Sequence, residues 1–191
     1  FEFHTVYHSV NNFCTNDLSK LYIDITKDRV YVEKSDSKAR RSAQTAMYLI
    51  ISGMTRLIAP MLSFTAEEIW QAMPHEGSTI MKAQYPTYDE ALNFKEEEYE
   101  MELIMDAIRS IRNRRAEMNV PPSKKAKVII VTNNKKVYNE GEIFFKKLAS
   151  ASEVEITDVQ PSDISGMAMA ATENAQIFMP MNELVDREKE L

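Results

Sequence analysis

The first 59 residues contain no proline, and apolar residues recur through them at steps of mostly three and four. Phe3, Val6, Tyr7, Val10, Phe13, Leu18, Leu21 and Ile25 trace the stripe of an amphipathic helix, which predicts one long helix to about Val30. Ser35-Asp36-Ser37 supplies cap-forming residues in a short loop. A second stripe through Ala39, Ala43, Met47, Ile50, Met54, Leu57 and Ile58 stops at Pro60, which has no amide proton to continue the ladder. Thr65-Ala66-Glu67-Glu68 reads as a capping box, with Thr65 at the N-cap and Glu68 reaching back. It opens a short helix through Trp70, an expected core anchor, to about Met73 before Pro74. Residues 74–88 read as a loop, and a further helix is expected from about Phe94 to Met118, ended by Asn119-Val120-Pro121-Pro122.

Beyond that point the pattern changes period. Val128-Ile129-Ile130-Val131 is a β-branched run suited to a buried strand. Residues 136–149 read as helical, with Val137, Phe144 and Leu148 on one side. Val154 and Ile156 alternate with Glu153 and Glu155, the pattern of a strand with one wet face. Residues 166–171 and 175–180 flank Thr172-Glu173-Asn174 as a hairpin, and Asn182 is placed to cap a last helix. The expected fold is therefore mainly α: a helical bundle over residues 1–120, then a small α/β subdomain over 121–191 leading to a truncated C-terminal helix. The chain starts at Phe1 inside a helical pattern and reads as a piece of something longer.

Composition removes several functional classes. With one cysteine, Cys14, there is no intramolecular disulfide and no cysteine-based zinc site, and a reducing, cytoplasmic setting is expected. No apolar run approaches the roughly 18 to 20 residues of a membrane span. Three histidines, His4, His8 and His75, form no catalytic triad with Cys14. His4 and His8 share a helix face but lack the H-E-x-x-H pattern of a metal site. Glu67-Glu68 and Glu96-Glu97-Glu98 read as a cap and a solvated face, because adjacent helical residues do not face each other. No catalytic constellation emerges.

Charge is informative through its distribution. The net charge is −6, yet residues 107–127 carry seven bases against one acid, directly after residues 89–106, with eight acids against one base. Within the basic run Arg112 and Arg115 share a helix face; guanidinium forks bind phosphates bidentately or stack on bases. The bland alternative is a helix C-terminus laced to the upstream acids. A second candidate surface is the polar face of the first helical stretch: Asn12, Asn16, Lys20, Lys27 and Arg29, interleaved with Tyr7, Phe13, Tyr22 and Tyr31. Bases among rings suit unstacked single-stranded RNA, unless the rings are simply core.

These segments resemble a known family. Residues 12–29 (NFCTNDLSKLYIDITKDR) and 37–44 (SKARRSAQ) resemble the anticodon-binding domain of bacterial isoleucyl-tRNA synthetases. Residues 59–70 (APMLSFTAEEIW) are similar to a segment shared by the class I synthetases for isoleucine, valine and leucine. Residues 106–125 (DAIRSIRNRRAEMNVPPSKK) and 179–191 (MPMNELVDREKEL) resemble valyl-tRNA synthetase instead. The resemblance divides near residues 70–86, which implies either an assembled chimera or a divergent member.

The resemblance implies a bundle that docks the anticodon stem-loop of an isoleucine or valine tRNA. The signatures His-Ile-Gly-His and Lys-Met-Ser-Lys-Ser of the whole enzymes do not occur in these residues, so no aminoacylation is expected of this chain alone. No cofactor is expected in this fragment, since ATP and Mg²⁺ serve the whole enzyme. The expected RNA-binding residues are Asn12, Asn16, Lys20, Lys27, Arg29, Arg40, Arg41, Arg112 and Arg115, on a cytoplasmic monomer without membrane contact. The alternative is a helical structural or protein-interaction module without RNA contact.

Overall fold

The structure of the protein is a computed structural model that describes residues 2–184. Two compact units account for it, Phe1–Glu90 and Ala91–Leu191.

In the first unit the proline-free stretch forms the expected helical run. Helix α1 (Phe3–Asn12) continues without a break into a π-helical segment (Phe13–Tyr22) and then helix α2 (Ile23–Tyr31). The junction residues Phe13 and Ile23 keep right-handed helical dihedrals, so the chain does not turn. In the π segment the bonds reach one residue further, as when the Ile23 N–H donates to the Leu18 carbonyl. Nothing in the residue pattern explains this widening.

Helix α3 (Lys38–Ile58) follows the loop, and Ser37 is its N-cap: its hydroxyl accepts the Arg40 N–H at 3.1 Å. Helix α2 packs on α3, and α3 on helix α4 (Ser63–Ala72). The expected capping box does not form. Helix α4 starts two residues before Thr65, and its N-cap Leu62 has no side-chain acceptor. Glu67 instead reaches forward, taking the Thr79 hydroxyl at 2.8 Å and the Ile80 N–H at 2.9 Å. That tether folds the following loop back onto α4 and closes a small core of Ala59, Ala66, Trp70 and Ile80. Trp70 is the anchor its position predicts. The apolar stripe of α1 exists, but none of its residues is buried: Phe3 is 59% and Tyr7 61% exposed.

In the second unit, helix α5 (Lys95–Glu117) carries acids in its first turn and arginines in its last, complementing the helix dipole. It ends in a Schellman motif: the Val120 N–H donates to the Arg115 carbonyl and the Asn119 N–H to Ala116, with Asn119 at φ 54°. Strand β1 (Ala126–Val131) is followed by helices α6 (Lys135–Glu140) and α7 (Glu142–Leu148), and then by the parallel strand β2 (Ala151–Thr157). Strands β3 (Met167–Ala171) and β4 (Gln176–Pro180) form the expected hairpin. The sheet order is β2-β1-β4-β3, with β4 antiparallel to β1. Ile130 sits between Ile156 and Ile177 at the centre of the sheet.

Helix α5 lays Leu103, Ile104, Ala107, Ile108 and Ile111 against this unit, touching β3, α6 and α7. Packing therefore groups α5 with the sheet and draws the division at Glu90, whereas the sequence pattern suggests a boundary near residue 120. The physical reason is that the apolar stripe of α5 is matched by the sheet and its crossover helices. The expected helix at residues 136–149 breaks at Gly141, where a β-carbon would come within 2.7 Å of Ile104 Cδ1. The last helix, α8 (Met181–Leu184), begins one residue before Asn182, and its expected continuation lies outside the described residues.

Candidate nucleic-acid interface

Asn12, Asn16 and Lys20 stand four residues apart, and the helical run brings them together. The Lys20 ammonium donates to Asn16 Oδ1 at 2.8 Å, and Asn16 Nδ2 donates to Asn12 Oδ1 at 2.6 Å. The three side chains form one exposed polar ladder. An ammonium carries three donors, so Lys20 keeps two N–H groups for an incoming acceptor. The rings interleaved with these residues in sequence are largely not core: Tyr7 is 61% and Tyr31 81% exposed, and Tyr22 is half-buried. Tyr22 donates to the Ala43 carbonyl at 3.4 Å, and burial pushes its phenol pKa upward, opposed by the Arg29 charge.

The other predicted residues of this unit are partly occupied. Lys27 pairs with Asp24 at 3.1 Å. Arg40 donates to the Glu33 carbonyl at 2.9 Å, closing the loop that precedes α3. Arg41 is exposed and Arg29 half-buried. Sequence reasoning missed a second basic feature of this unit. Tyr48, Arg56, Trp70, His75 and Lys82 line an open cavity of about 780 Å³, with Glu76 in the same wall. Arg56 donates to the Ser52 and Gln84 carbonyls, so its position depends on the loop that Glu67 folds back. No local spacing announces that contact. Hydrogen bonds from Gln71 and Thr79 hold the Glu67 carboxyl below its ordinary pKa of 4.5.

In the second unit the basic run is largely consumed. Arg109 pairs with Asp106 at 2.7 Å and Arg114 with Glu117 at 2.9 Å. Lys127 lies between Glu155 and Glu153, whose contacts keep its ammonium pKa above the usual value. Arg112 is exposed, but its Nε donates to the Leu148 carbonyl at 2.6 Å, capping the end of α7. Arg115 corrects its expected role as a surface phosphate ligand. It is 5% exposed and donates through Nη2 to the carbonyls of Pro121 and Lys124, holding the loop that leads into β1. Its place on the Ile108–Ile111 face of α5 turns it inward. Among the described residues no group of three metal-ligating side chains occurs, and no helix is long and apolar enough to cross a membrane.

Comparison with known proteins agrees with the resemblance. The family described as the anticodon-binding domain of tRNA ligase matches residues 1–130. A valine–tRNA ligase of Clostridium perfringens is 39% identical over 184 residues, covering 95% of this chain and 21% of that ligase. An isoleucine–tRNA ligase of Syntrophotalea carbinolica is 42% identical over 177 residues, covering 87% of this chain and 19% of that ligase. An isoleucine–tRNA ligase of Colwellia psychrerythraea reaches 64% identity over 74 residues, 39% of this chain and 8% of its own length. The chain spans about a fifth of the length of the curated relatives it matches along most of its own length. With the family matched over more than half of its residues, this chain belongs to the anticodon-binding domain family of tRNA ligases.

Proposed function

We propose that this chain is the module of an isoleucyl- or valyl-type tRNA ligase that binds the tRNA anticodon stem-loop. It has no ligase activity by itself. The observation that carries this reading is the family match over residues 1–130. The geometry supports it with an exposed amide–ammonium ladder on a helical run that also exposes Tyr7, Phe13 and Tyr31, groups suited to splayed bases and the phosphates beside them. Lys20, Lys27, Arg29, Arg40, Arg41 and Arg112 meet phosphates in this reading, and Asn12 and Asn16 meet base edges. ATP and Mg²⁺ act in the rest of the ligase, and this module works in the cytoplasm as a monomer without a cofactor of its own.

The test is a titration with labelled isoleucine and valine tRNAs at low and physiological salt. Binding through cations loses affinity with salt, with a log–log slope of about −0.7 to −0.9 per phosphate contacted. Lys20→Gln and Arg41→Gln each reduce that slope by about one such step. Preference for one tRNA assigns the specificity. Absence of saturable binding at low salt returns the helical interaction module as the better reading.

A further inference from the structure

Helix α3 buries small and polar residues and leaves large apolar ones uncovered. The residues it buries are Ala43, Ser52 and Thr55, and the Thr55 hydroxyl is satisfied within the helix by donating to the Ile51 carbonyl at 2.6 Å. Leu49 is exposed, and Ile50, Met54 and Leu57 are half-buried. These four side chains line an open groove of about 400 Å³, shared with Val10 of α1 and Phe13 of the π segment. Ser9 is the polar side chain of its lining. From Leu49 to Leu57 the groove follows α3 for about 12 Å, a little over two helical turns. Gly53 stands midway along it, and a β-carbon there would meet no atom within 4 Å. Glycine is a poor residue for a helix interior, and here no neighbouring atom requires it. It leaves room above α3 for another element to come close.

We propose that this groove seats an amphipathic helix from the part of the tRNA ligase that lies outside this chain. The lining selects the class of occupant. Among the described residues it carries no charged group, so a phosphate backbone finds no counter-charge there. It offers few hydrogen-bonding atoms, so an extended segment would leave its N–H and C=O groups unpaired. An α-helix satisfies those groups internally and lays apolar side chains, at steps of three and four, along α3. The length of the relatives selects the source. This chain spans about a fifth of the valine– and isoleucine–tRNA ligases it matches, so in such a ligase the groove shares one polypeptide with about four-fifths more residues. A tethered helix meets the groove at a high effective concentration, so a short apolar contact is enough to hold it. The inference rests on family membership and not on RNA binding, whose ladder of Asn12, Asn16 and Lys20 is not part of the lining.

The experiment is an NMR titration of the whole chain with overlapping peptides of about 20 residues. The peptides tile the Clostridium perfringens valine–tRNA ligase and the Syntrophotalea carbinolica isoleucine–tRNA ligase outside their matched residues. They are added up to about 1 mM, the effective concentration that a short tether supplies. The methyl groups of Val10, Leu49, Ile50, Met54 and Leu57 and the Gly53 amide report the groove. An amphipathic peptide is expected to shift these signals saturably and to gain helical circular dichroism as it binds. Gly53→Leu fills the groove from a position with open space and raises helix propensity, so the chain keeps its fold and its Tm. Its affinity for that peptide falls about tenfold, because the occupant is overpacked. Leu49→Gln, at an exposed position, gives a smaller loss. The proposal is overturned if no peptide moves these signals, or if the peptide that moves them binds Gly53→Leu as it binds the parent chain. It is overturned equally if sedimentation shows the chain pairing with itself and dilution to the monomer moves the same signals, since the occupant is then a second copy. Failure of the tRNA titration changes none of these readouts, so the two readings fall separately.

Discussion

The two units solve the same packing problem to different degrees. Ala91–Leu191 encloses Ile108, Ile111, Val128, Ile130, Tyr138, Phe145, Ile177 and Phe178 in one continuous helix-on-sheet core. Among its described residues Phe1–Glu90 closes a small cluster around Trp70 and leaves the stripe of α1 and an apolar groove beside Phe13, Leu49 and Met54 open. A sheet presents a broad apolar face that one helix and a crossover can cover, whereas three helices joined end to end have too few partners to bury every stripe. An amphipathic stripe in sequence therefore does not by itself produce burial.

This contrast can be broken at its strongest point first. Phe145→Ala removes a fully buried ring stacked on Tyr138 and costs about 3–5 kcal/mol in denaturant unfolding. Tyr7→Ser on the open stripe stays within about 0.5 kcal/mol. Equal losses at the two positions would show that the stripe of α1 is as well packed as the sheet. Arg115→Met comes next: it removes the donors to Pro121 and Lys124, costing about 1–3 kcal/mol for acceptors left unpaired. Amide exchange rises at residues 119–126 if that clamp is real. Gly141→Ala forces Ile104 to move and costs about 1–3 kcal/mol by overpacking, read as a lower Tm.

Acid separates the units more gently. The Glu67 carboxylate is stabilised in the folded chain, so its contribution is complete above its ordinary pKa of 4.5 and is lost as pH falls through its lower folded value. Asp158, held low by Lys135, follows the same sign from an ordinary value of 3.8. Amides of the 79–82 turn therefore lose protection as pH falls below 4.5, and protection that is unchanged on replacing Glu67 by Gln would remove Glu67 as the tether. The smallest effect is expected for Arg109→Ala. Its pair with Asp106 is solvent-exposed and is worth about 0–1 kcal/mol in thermal unfolding.

Much of the architecture is legible in the residues alone. Pro60, Pro74 and the Asn119–Pro122 run end helices as proline and a left-handed Asn should, and Ser37 caps α3. The turn at 172–174 marks the hairpin, and the β-branched run marks the strand at Val128–Val131. The capping box at Thr65 is a false signal, because α4 already begins at Ser63 and Thr65 lies inside the helix rather than at its N-cap. The candidate site is less legible. Asn12, Asn16 and Lys20 come together as their spacing suggests, since a repeat of four on a helix is local geometry. The basic run does not survive as a run: Arg109 and Arg114 pair with acids three residues away on α5 itself, whereas Lys127 is claimed by β2 and Arg115 by the loop it supports.

The sequence by itself determined the order and kind of the elements and the family to which they belong. Periodicity, caps and prolines act within a few residues and need no tertiary knowledge. Only the tertiary structure decided which charges remain available, that α5 belongs with the sheet, and that Arg115 is buried as a clamp on the loop before β1. Burial, and the partners of charges such as Lys127 and Arg115, are set by residues that lie elsewhere in the fold, and a one-dimensional pattern carries no record of who meets whom.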